Sequence, residues 1–175
     1  YLTPAVPDVG MTPAVGDQTI LVTGGAGFIG SHIVDALLPD NDVRILDNFS
    51  TGVRERPPEA ATVIEGDVRD TETVEQAMDG VDIVFHQAAI VSVDRSVEDP
   101  ATSNDVNLDG TLAVLEAART EDARVVFASS AAIYGAPESL PIDEGHPKEP
   151  LSPYGLEKLT ADHYCRLYAE LYGLP

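Results

Sequence analysis

A glycine-rich stretch between two apolar segments constrains this chain more than any other feature. Thr19–Thr23 is a β-branched and aliphatic run, glycines follow it, and apolar residues then return with helical spacing. Gly25, Gly27 and Gly30 fit the pattern G-x-G-x-x-G, and Gly24 adds the wider G-x-x-G-x-x-G spacing. Such glycines permit a tight turn, let backbone N–H groups approach a pyrophosphate and let the helix pack closely on the strand. The stretch predicts a strand, a phosphate-binding loop and a helix.

An acidic residue completes this pattern. A second strand-like segment, Val43–Asp47, ends in a carboxylate 23 residues after Gly24. A carboxylate about 20 residues beyond the motif accepts hydrogen bonds from an adenosine ribose, and it repels the 2′-phosphate of NADP. The alternatives are a glycine-rich turn without a ligand and a surface aspartate that caps a turn. Neither explains strand, helix and carboxylate together, so we predict NAD as the cofactor.

Strand-like and helical segments alternate along the rest of the chain. This order is typical of a parallel sheet with right-handed crossovers. The predicted strands are Thr19–Thr23, Val43–Asp47, Ala61–Glu65, Val81–Phe85 and Arg124–Ala128, and the helices after the phosphate loop are 71–78, 100–119 and 153–172. Thr71 is the expected N-cap of helix 71–78. The sequence predicts an α/β fold, a Rossmann-type doubly wound parallel sheet with strand order 3-2-1-4-5.

The length of 175 residues fits one domain. Residues 1–17 carry prolines and glycines without apolar periodicity, so we expect an extended or disordered leader there and an NAD-binding domain over 18–175. Met11 is an alternative start to Tyr1. No apolar run approaches the ~20 residues of a membrane span, and no signal-peptide pattern opens the chain. We therefore expect a cytoplasmic protein without a membrane partner.

The charge balance excludes one class of partner. The chain has 30 acidic and 10 basic residues, a net charge of −20, whereas binding to nucleic acid requires a basic surface. We expect a surface adapted to high salt, where self-repulsion is screened, and an acidic solvated face in an ordinary cytoplasm is the alternative. A single cysteine, Cys165, excludes an internal disulfide, and the four histidines share no metal-ligand spacing with it. No metal is expected.

A tyrosine and a lysine one turn apart predict a proton-transfer site. Tyr154 and Lys158 are i, i+4 neighbours on the last helix, and Ser130 follows the fifth strand. The ammonium of Lys158 favours the ionised phenol of Tyr154 by Coulomb attraction, so the phenol can act as a base near neutral pH. The hydroxyl of Ser130 can hydrogen-bond a reacting oxygen. A pair of unrelated helix-surface residues is the alternative.

Six motifs in this order resemble those of the extended short-chain dehydrogenase/reductases. Within that group the chain is similar to the NAD-dependent epimerase/dehydratase family, which includes the UDP-glucose 4-epimerases. The motifs are Thr23-Gly-Gly-Ala-Gly-Phe-Ile-Gly30, Gly66-Asp-Val-Arg-Asp70, His86-Gln-Ala-Ala89, Asn107-Leu-Asp-Gly-Thr111, Ser129-Ser-Ala-Ala-Ile-Tyr-Gly135 and Ser152-Pro-Tyr-Gly-Leu-Glu-Lys158.

The resemblance implies where NAD lies. The start of the first helix contacts its pyrophosphate, the end of the second strand contacts its ribose, residues after the third strand flank its adenine, and the end of the fourth strand lines its path. Two residues of the last helix meet the nicotinamide ribose. In chain order the implied cofactor residues are Gly24, Gly27, Phe28, Ile29, Gly30, Asp47, Asn48, Ser50, Gly52, Asp67, Val68, Gln87, Ala88, Ala89, Asn107, Tyr154 and Lys158.

The resemblance also implies a reaction on a nucleotide-sugar, with a UDP-sugar as the expected substrate. Ser130, Tyr154 and Lys158 are the implied catalytic residues. Tyr154 removes the proton of the C4 hydroxyl while hydride passes to NAD, the ketosugar turns over, and the hydride returns to its opposite face. Related 4,6-dehydratases place an acidic residue after the strand-five serine or threonine. Here Ala131 and Ala132 occupy those positions and cannot transfer a proton, so we expect an epimerase.

Members of this family continue beyond the point where this chain stops, with further strands and a region that holds the nucleotide-sugar. Two functions therefore stay open: a UDP-glucose 4-epimerase-like enzyme, and a truncated stand-alone NAD-binding module without independent catalysis. Relatives pair their two long helices into a four-helix interface, and helices 100–119 and 153–172 carry more apolar residues than one sheet-facing stripe needs. We expect a homodimer through these residues: Leu112, Leu115, Tyr164, Leu167, Tyr168 and Leu171.

Overall fold

Five parallel strands form one sheet in the order β3-β2-β1-β4-β5, which confirms the predicted topology. The structure is a computed structural model and describes residues 15–175. In the central strand, Ile20 lies opposite Val43 of one neighbour and Ile83 of the other. The strands are β1 Thr19–Thr23, β2 Asp42–Asp47, β3 Thr62–Glu65, β4 Ile83–His86 and β5 Arg124–Phe127.

Helices cover both faces of the sheet. Over residues 15–175 the α-helices are α1 Phe28–Leu37, α2 Thr71–Met78, α3 Val93–Glu98, α4 Pro100–Asn104, α5 Gly110–Glu121 and α6 Pro153–Tyr172. Short 3₁₀ turns lie at Leu38–Asp40 and Ala131–Tyr134, and one π-helical turn lies at Asp105–Asp109.

The core divides into two layers because neighbouring residues of a strand point to opposite faces. On one face, Ile20 and Val22 of β1 pack with Val34 of α1. On the other face, Leu21 packs in a larger cluster with α2, α5 and α6, to which Leu115 contributes. A strand that is buried on both faces appears in the sequence as a continuous apolar run, and β1 has this pattern.

The bounds of four strands shift by one or two residues from the prediction, and the helices differ from it in three details. Helix 100–119 is divided into α4, a π-helical turn and α5, and α3 before it was not predicted. Thr71 is the first helical residue rather than the N-cap. The N-cap is Asp70, whose backbone is extended and whose carboxylate accepts a hydrogen bond from the Thr73 hydroxyl at 2.7 Å. Short-range patterns place a helix more reliably than they place its first residue.

The two long helical segments predicted to form a dimer pack beside each other on one face of the sheet. Leu115 and Tyr168 are buried in the core of this chain, so they are not available to a partner. Leu112 and Tyr164 pack partly against the same core. Leu167 and Leu171 are exposed. The prediction was wrong in counting Leu115 and Tyr168 as surplus, and the homodimer itself stays a prediction.

Of the expected leader at 1–17, residues 1–14 lie outside the described residues. Asp17 is joined to the fold, since its backbone N–H donates to the carbonyl oxygen of Asp40 at 2.8 Å. The boundaries of the leader and of the domain stay predictions, as does the cytoplasmic location. No helix within residues 15–175 is long and apolar enough to cross a membrane. The same residues contain no cluster of three or more His, Cys, Asp or Glu side chains placed to hold a metal ion.

Candidate active site

The phosphate loop is built around two glycines that have no room for a side chain. Gly24 has φ +70°, and a Cβ there would lie 2.8 Å from the backbone nitrogen of Ala88. A Cβ on Gly30 would lie 2.2 Å from the carbonyl oxygen of Gly24, so the start of α1 packs directly on the turn. No side chain caps the N-terminus of α1 at Gly27. The free N–H groups of that terminus form a site suited to a phosphate.

A cavity of about 380 Å³ extends from this loop along the carboxyl ends of β1, β2 and β4. This edge of an open α/β sheet is where ligands bind. The structure brings together here 14 of the residues predicted to contact the cofactor: Gly24, Gly27, Phe28, Ile29, Gly30, Asp47, Asn48, Ser50, Gly52, Asp67, Val68, Gln87, Ala88 and Ala89. Asn107, Tyr154 and Lys158 do not line this cavity.

Asp47 holds the loops on either side of the cavity in place. Its carboxylate accepts the N–H of Ala26 at 2.9 Å and the N–H of Phe49 at 2.8 Å. The side chain is buried, and Gly52 packs against it. Each carboxylate oxygen retains a further acceptor position, which fits the predicted contact with ribose hydroxyls.

Asp67 lines the same cavity and has a different set of partners. Its carboxylate accepts the Nε and Nη2 groups of Arg69 at 2.9 and 2.8 Å and the Nδ2 group of Asn48 at 2.8 Å. The Arg69 guanidinium, aided by the Asn48 amide, holds the pKa of Asp67 far below its usual range. This carboxylate is therefore charged and fixed in orientation before any ligand arrives.

Several lining residues were missed by the sequence analysis. Arg69 lies inside the motif Gly66–Asp70 and follows directly on two predicted residues, so that motif could have indicated it. Arg95, Thr102 and Val106 line the cavity from α3, α4 and the π-helical turn. No local pattern pointed to these three, because their position depends on how α3 and α4 fold back over the end of β4.

Lys158 is almost completely buried, with 3% of its surface exposed. Its ammonium donates to the carbonyl oxygen of Ala128 at 3.1 Å and lies 4.7 Å from the centre of the Phe127 ring. Burial lowers the pKa of Lys158 to about 8 because desolvation disfavours the charged form. Near neutral pH the group is still mainly protonated, so it can stabilise a nearby phenolate.

Tyr154 lies in the first turn of α6, which packs on the turn after β5, and Ser130 precedes that turn. Gly155 lies so close to this turn that a Cβ would be 2.7 Å from the carbonyl oxygen of Ala132. The backbone N–H of Tyr154 donates to the buried Ser96 hydroxyl at 3.1 Å, which fixes the first turn of α6. The Ser130 hydroxyl oxygen accepts the N–H of Ala132 at 3.1 Å, and its own proton remains free to be donated.

Asn107, which is predicted to contact the cofactor, is buried and does not line the cavity. Its Oδ1 accepts the N–H of Ile90 at 2.8 Å, and its Nδ2 donates to the carbonyl oxygen of Ile90 at 3.0 Å and to the Glu157 carboxylate at 2.7 Å. With 1% of its surface exposed and its amide fully bonded, Asn107 shapes the loop after β4.

A second buried chain of hydrogen bonds passes through His86. The N–H of Ala88 donates to the Thr23 hydroxyl at 3.2 Å, and that hydroxyl lies 2.7 Å from Nδ1 of His86. Nε2 of His86 lies 3.0 Å from the Thr111 hydroxyl, which donates to the carbonyl oxygen of Asn107 at 2.7 Å. Burial lowers the pKa of His86 to about 3, so this ring is neutral near pH 7.

Comparison with known proteins identifies the family. Residues 20–175 match the model of the NAD dependent epimerase/dehydratase family. The putative UDP-glucose 4-epimerase of Methanocaldococcus jannaschii is 50% identical over 159 residues, which cover 89% of this chain and 52% of that protein. The UDP-glucose 4-epimerase of Streptomyces lividans is 43% identical over 162 residues, covering 88% and 48%. The chain thus spans about half the length of the curated relatives it matches.

A solved structure agrees with this family match. The UDP-glucose 4-epimerase of Thermus thermophilus, solved in complex with NAD, has a TM-score of 0.85 at 47% identity. The match covers 89% of this chain and 52% of that one.

Proposed function

This chain belongs to the NAD-dependent epimerase/dehydratase family, and from that premise we propose that it binds NAD and supplies the acid/base group of a UDP-sugar 4-epimerase. The observation that carries the proposal is the cavity joining the glycine loop to Asp47 and to the end of β4. Its walls fit the cofactor, since the glycine turn leaves no room for a Cβ, the N-terminus of α1 is open to phosphate, and Asp47 keeps free acceptor positions.

When bound, NAD would accept a hydride from the sugar and return it. The chain's own part is proton transfer. The Lys158 ammonium is held on the carbonyl oxygen of Ala128, and its charge favours the phenolate form of Tyr154 one helical turn away. That phenolate takes the proton of the C4 hydroxyl and later gives it back. The Ser130 hydroxyl, whose proton is free, hydrogen-bonds the reacting oxygen.

The 3₁₀ turn Ala131–Tyr134 supports epimerisation over dehydration. A 4,6-dehydration needs a group that transfers a further proton, and Ala131 and Ala132 have none. The UDP-sugar assignment rests on the names of the relatives. The second candidate, an NAD-binding module without independent catalysis, is favoured by one observation: Tyr154 and Lys158 do not line the cavity.

The exposed apolar side chains of α6 support a homodimer as the assembly state. Leu167, Leu171 and Tyr172 keep 45%, 66% and 56% of their surfaces exposed near one end of this helix. Single exposed apolar residues are ordinary, but a group of them on one helix marks a site of association. A two-fold contact would place the same group of both copies together.

The test is a pair of measurements on the parent protein and on Tyr154→Phe. We expect NADH to bind both with affinities within about threefold, while conversion of UDP-glucose to UDP-galactose falls by about 10²- to 10⁴-fold in the variant. Binding by the parent without turnover would favour the module without catalysis. A parent that does not bind NADH in the presence of molar salt would contradict both candidates.

A further inference from the structure

A buried carboxylate joins the helix of Tyr154 and Lys158 to the rest of the site. Oε2 of Glu157 accepts the Ser103 hydroxyl at 2.7 Å and Nδ2 of Asn107 at 2.7 Å. Glu157 is 6% exposed, and Ser103 and Asn107 are 0% and 1% exposed. Burying a carboxylate is costly unless donors meet it, so this arrangement is stable only as a unit. We call these three residues the Glu157 cluster.

The Glu157 cluster sets the direction of the Asn107 amide. A carboxylate can only accept hydrogen bonds, so the NH₂ group of Asn107 must face Glu157. The amide then presents Oδ1 to the N–H of Ile90 and Nδ2 to the carbonyl oxygen of the same residue. Asn107 thus hydrogen-bonds both the backbone N–H and the backbone carbonyl oxygen of Ile90, as the backbone of a neighbouring strand would.

Ile90 belongs to the segment that lines the cavity. Ala88, Ala89 and Ile90 all contribute to its wall. The first of these is also tied back to Asn107, because its N–H is one end of the hydrogen-bond chain through Thr23, His86 and Thr111. Both ends of the segment 88–90 therefore depend on the position of Asn107.

The Glu157 cluster lies within one turn of both proposed reacting groups. Glu157 lies three positions after Tyr154 and one position before Lys158. All three residues belong to the first half of α6. The backbone of Tyr154 is held by Ser96, and Lys158 is held by Ala128. Neither contact reaches the segment 88–90. The Glu157 carboxylate does reach it, through the side chain of Asn107.

We propose that Glu157 is a positioning residue, whose carboxylate ties the helix of Tyr154 and Lys158 to the cavity segment 88–90 and keeps that segment ordered for the cofactor. The part that concerns NAD rests on the proposed function. The order of the segment is a property of the chain alone and does not depend on any ligand.

The experiment measures the amide of Ile90 directly. Its N–H donates to Oδ1 of Asn107. The rate of hydrogen exchange at this N–H, measured by NMR without ligand, therefore shows whether that hydrogen bond is intact. For Glu157→Ala we expect exchange at Ile90 to be at least tenfold faster and NADH binding to be about tenfold weaker. For Glu157→Gln we expect both within about threefold of the parent, since an amide oxygen can still accept from Ser103 and Asn107.

Two further variants complete the set. Asp162→Ala removes another carboxylate of α6, whose partner is Arg166 on the same helix at 2.6 Å, and should leave both readouts unchanged. Ser103→Ala removes one of the two donors and is used if Glu157→Ala does not fold. We expect it to change each readout by about fivefold, outside the threefold range expected for Glu157→Gln.

The outcomes separate the possible explanations. Parent-like exchange at Ile90 in Glu157→Ala or in Ser103→Ala would overturn the proposal, and so would a Gln variant as defective as the Ala variant. If the parent binds no NADH, the proposed function fails, but the exchange data still decide whether Glu157 orders the segment.

Discussion

Nδ1 of His86 accepts a hydrogen bond from the Thr23 hydroxyl at 2.7 Å, and the direction of that bond follows from its neighbours. Thr111 gives its own proton to the carbonyl oxygen of Asn107, so it must accept from Nε2 of His86. The ring therefore carries its proton on Nε2, and Nδ1 is the acceptor. A second proton on Nδ1 would reverse this hydrogen bond, so that the Thr23 hydroxyl would accept from the ring and would lose the ring as the acceptor of its own proton.

Acid is expected to destabilise the folded chain through His86. His86 ionises near pH 6.5 when unfolded and near pH 3 when folded. Because the unfolded chain binds the proton first, the contribution of neutral His86 to stability is complete above pH 6.5 and is lost as the pH falls toward 3. We expect the free energy of unfolding to decrease between pH 6.5 and 5. Over the same range, ¹⁵N NMR should show His86 neutral with its proton on Nε2. A charged ring at pH 5.5 in the folded protein would contradict this.

The second prediction concerns Asp47 and the choice of cofactor. Asp47→Asn removes the charge that repels a 2′-phosphate and replaces one acceptor with a donor facing Ala26 or Phe49. We expect NAD to bind about tenfold more weakly, and the preference for NAD over NADP to shrink by a similar factor. Asp42→Asn, at the opposite end of β2, is the matched control and should leave both affinities unchanged. Equal binding of NAD and NADP by the parent would show that Asp47 does not select the cofactor.

The third prediction concerns salt. A net charge of −20 destabilises the folded state by self-repulsion, which weakens as the Debye length falls from about 10 Å at 0.1 M salt to about 3 Å at 1 M. Salt also weakens surface ion pairs such as Arg54 with Glu65 and Arg119 with Glu116, but exposed pairs contribute little. We expect the melting temperature to rise from 0.1 to 2 M KCl. A flat melting temperature would favour an ordinary acidic surface.

The fourth prediction concerns the dimer. Leu167→Glu places a charge on an exposed position of α6, so it should leave the melting temperature nearly unchanged while it converts the expected dimer into a monomer. Leu112 is a poorer choice because it packs partly against the core. Val63→Glu, equally exposed on the edge strand β3, is the control and should remain dimeric. Sedimentation in high salt gives the answer, and a parent that sediments as a monomer would reject the interface.

The strand order and the cavity wall were predictable because each depends on local signals. Apolar runs, glycine spacing and the strand-end Asp47 are all visible within short windows of sequence. The role of Asn107 was not predictable in this way. Its partners Ile90 and Glu157 are 17 and 50 residues away, and a buried amide looks the same in the sequence whether it faces a ligand or another side chain. Arg95 was missed for the same reason, because α3 carries no strong periodic pattern.

The close approach of Gly24 to Ala88 has a consequence for the lifetime of the protein. The two residues meet only after β1 has paired with β4, 63 residues away along the chain, so the unfolded chain has no phosphate loop. A ligand of this cavity then binds the folded chain alone, and at 100 times its dissociation constant it adds about 2.7 kcal/mol to the free energy of unfolding. The supply of dinucleotide in the cell would thereby set how often this chain opens and is exposed to proteolysis.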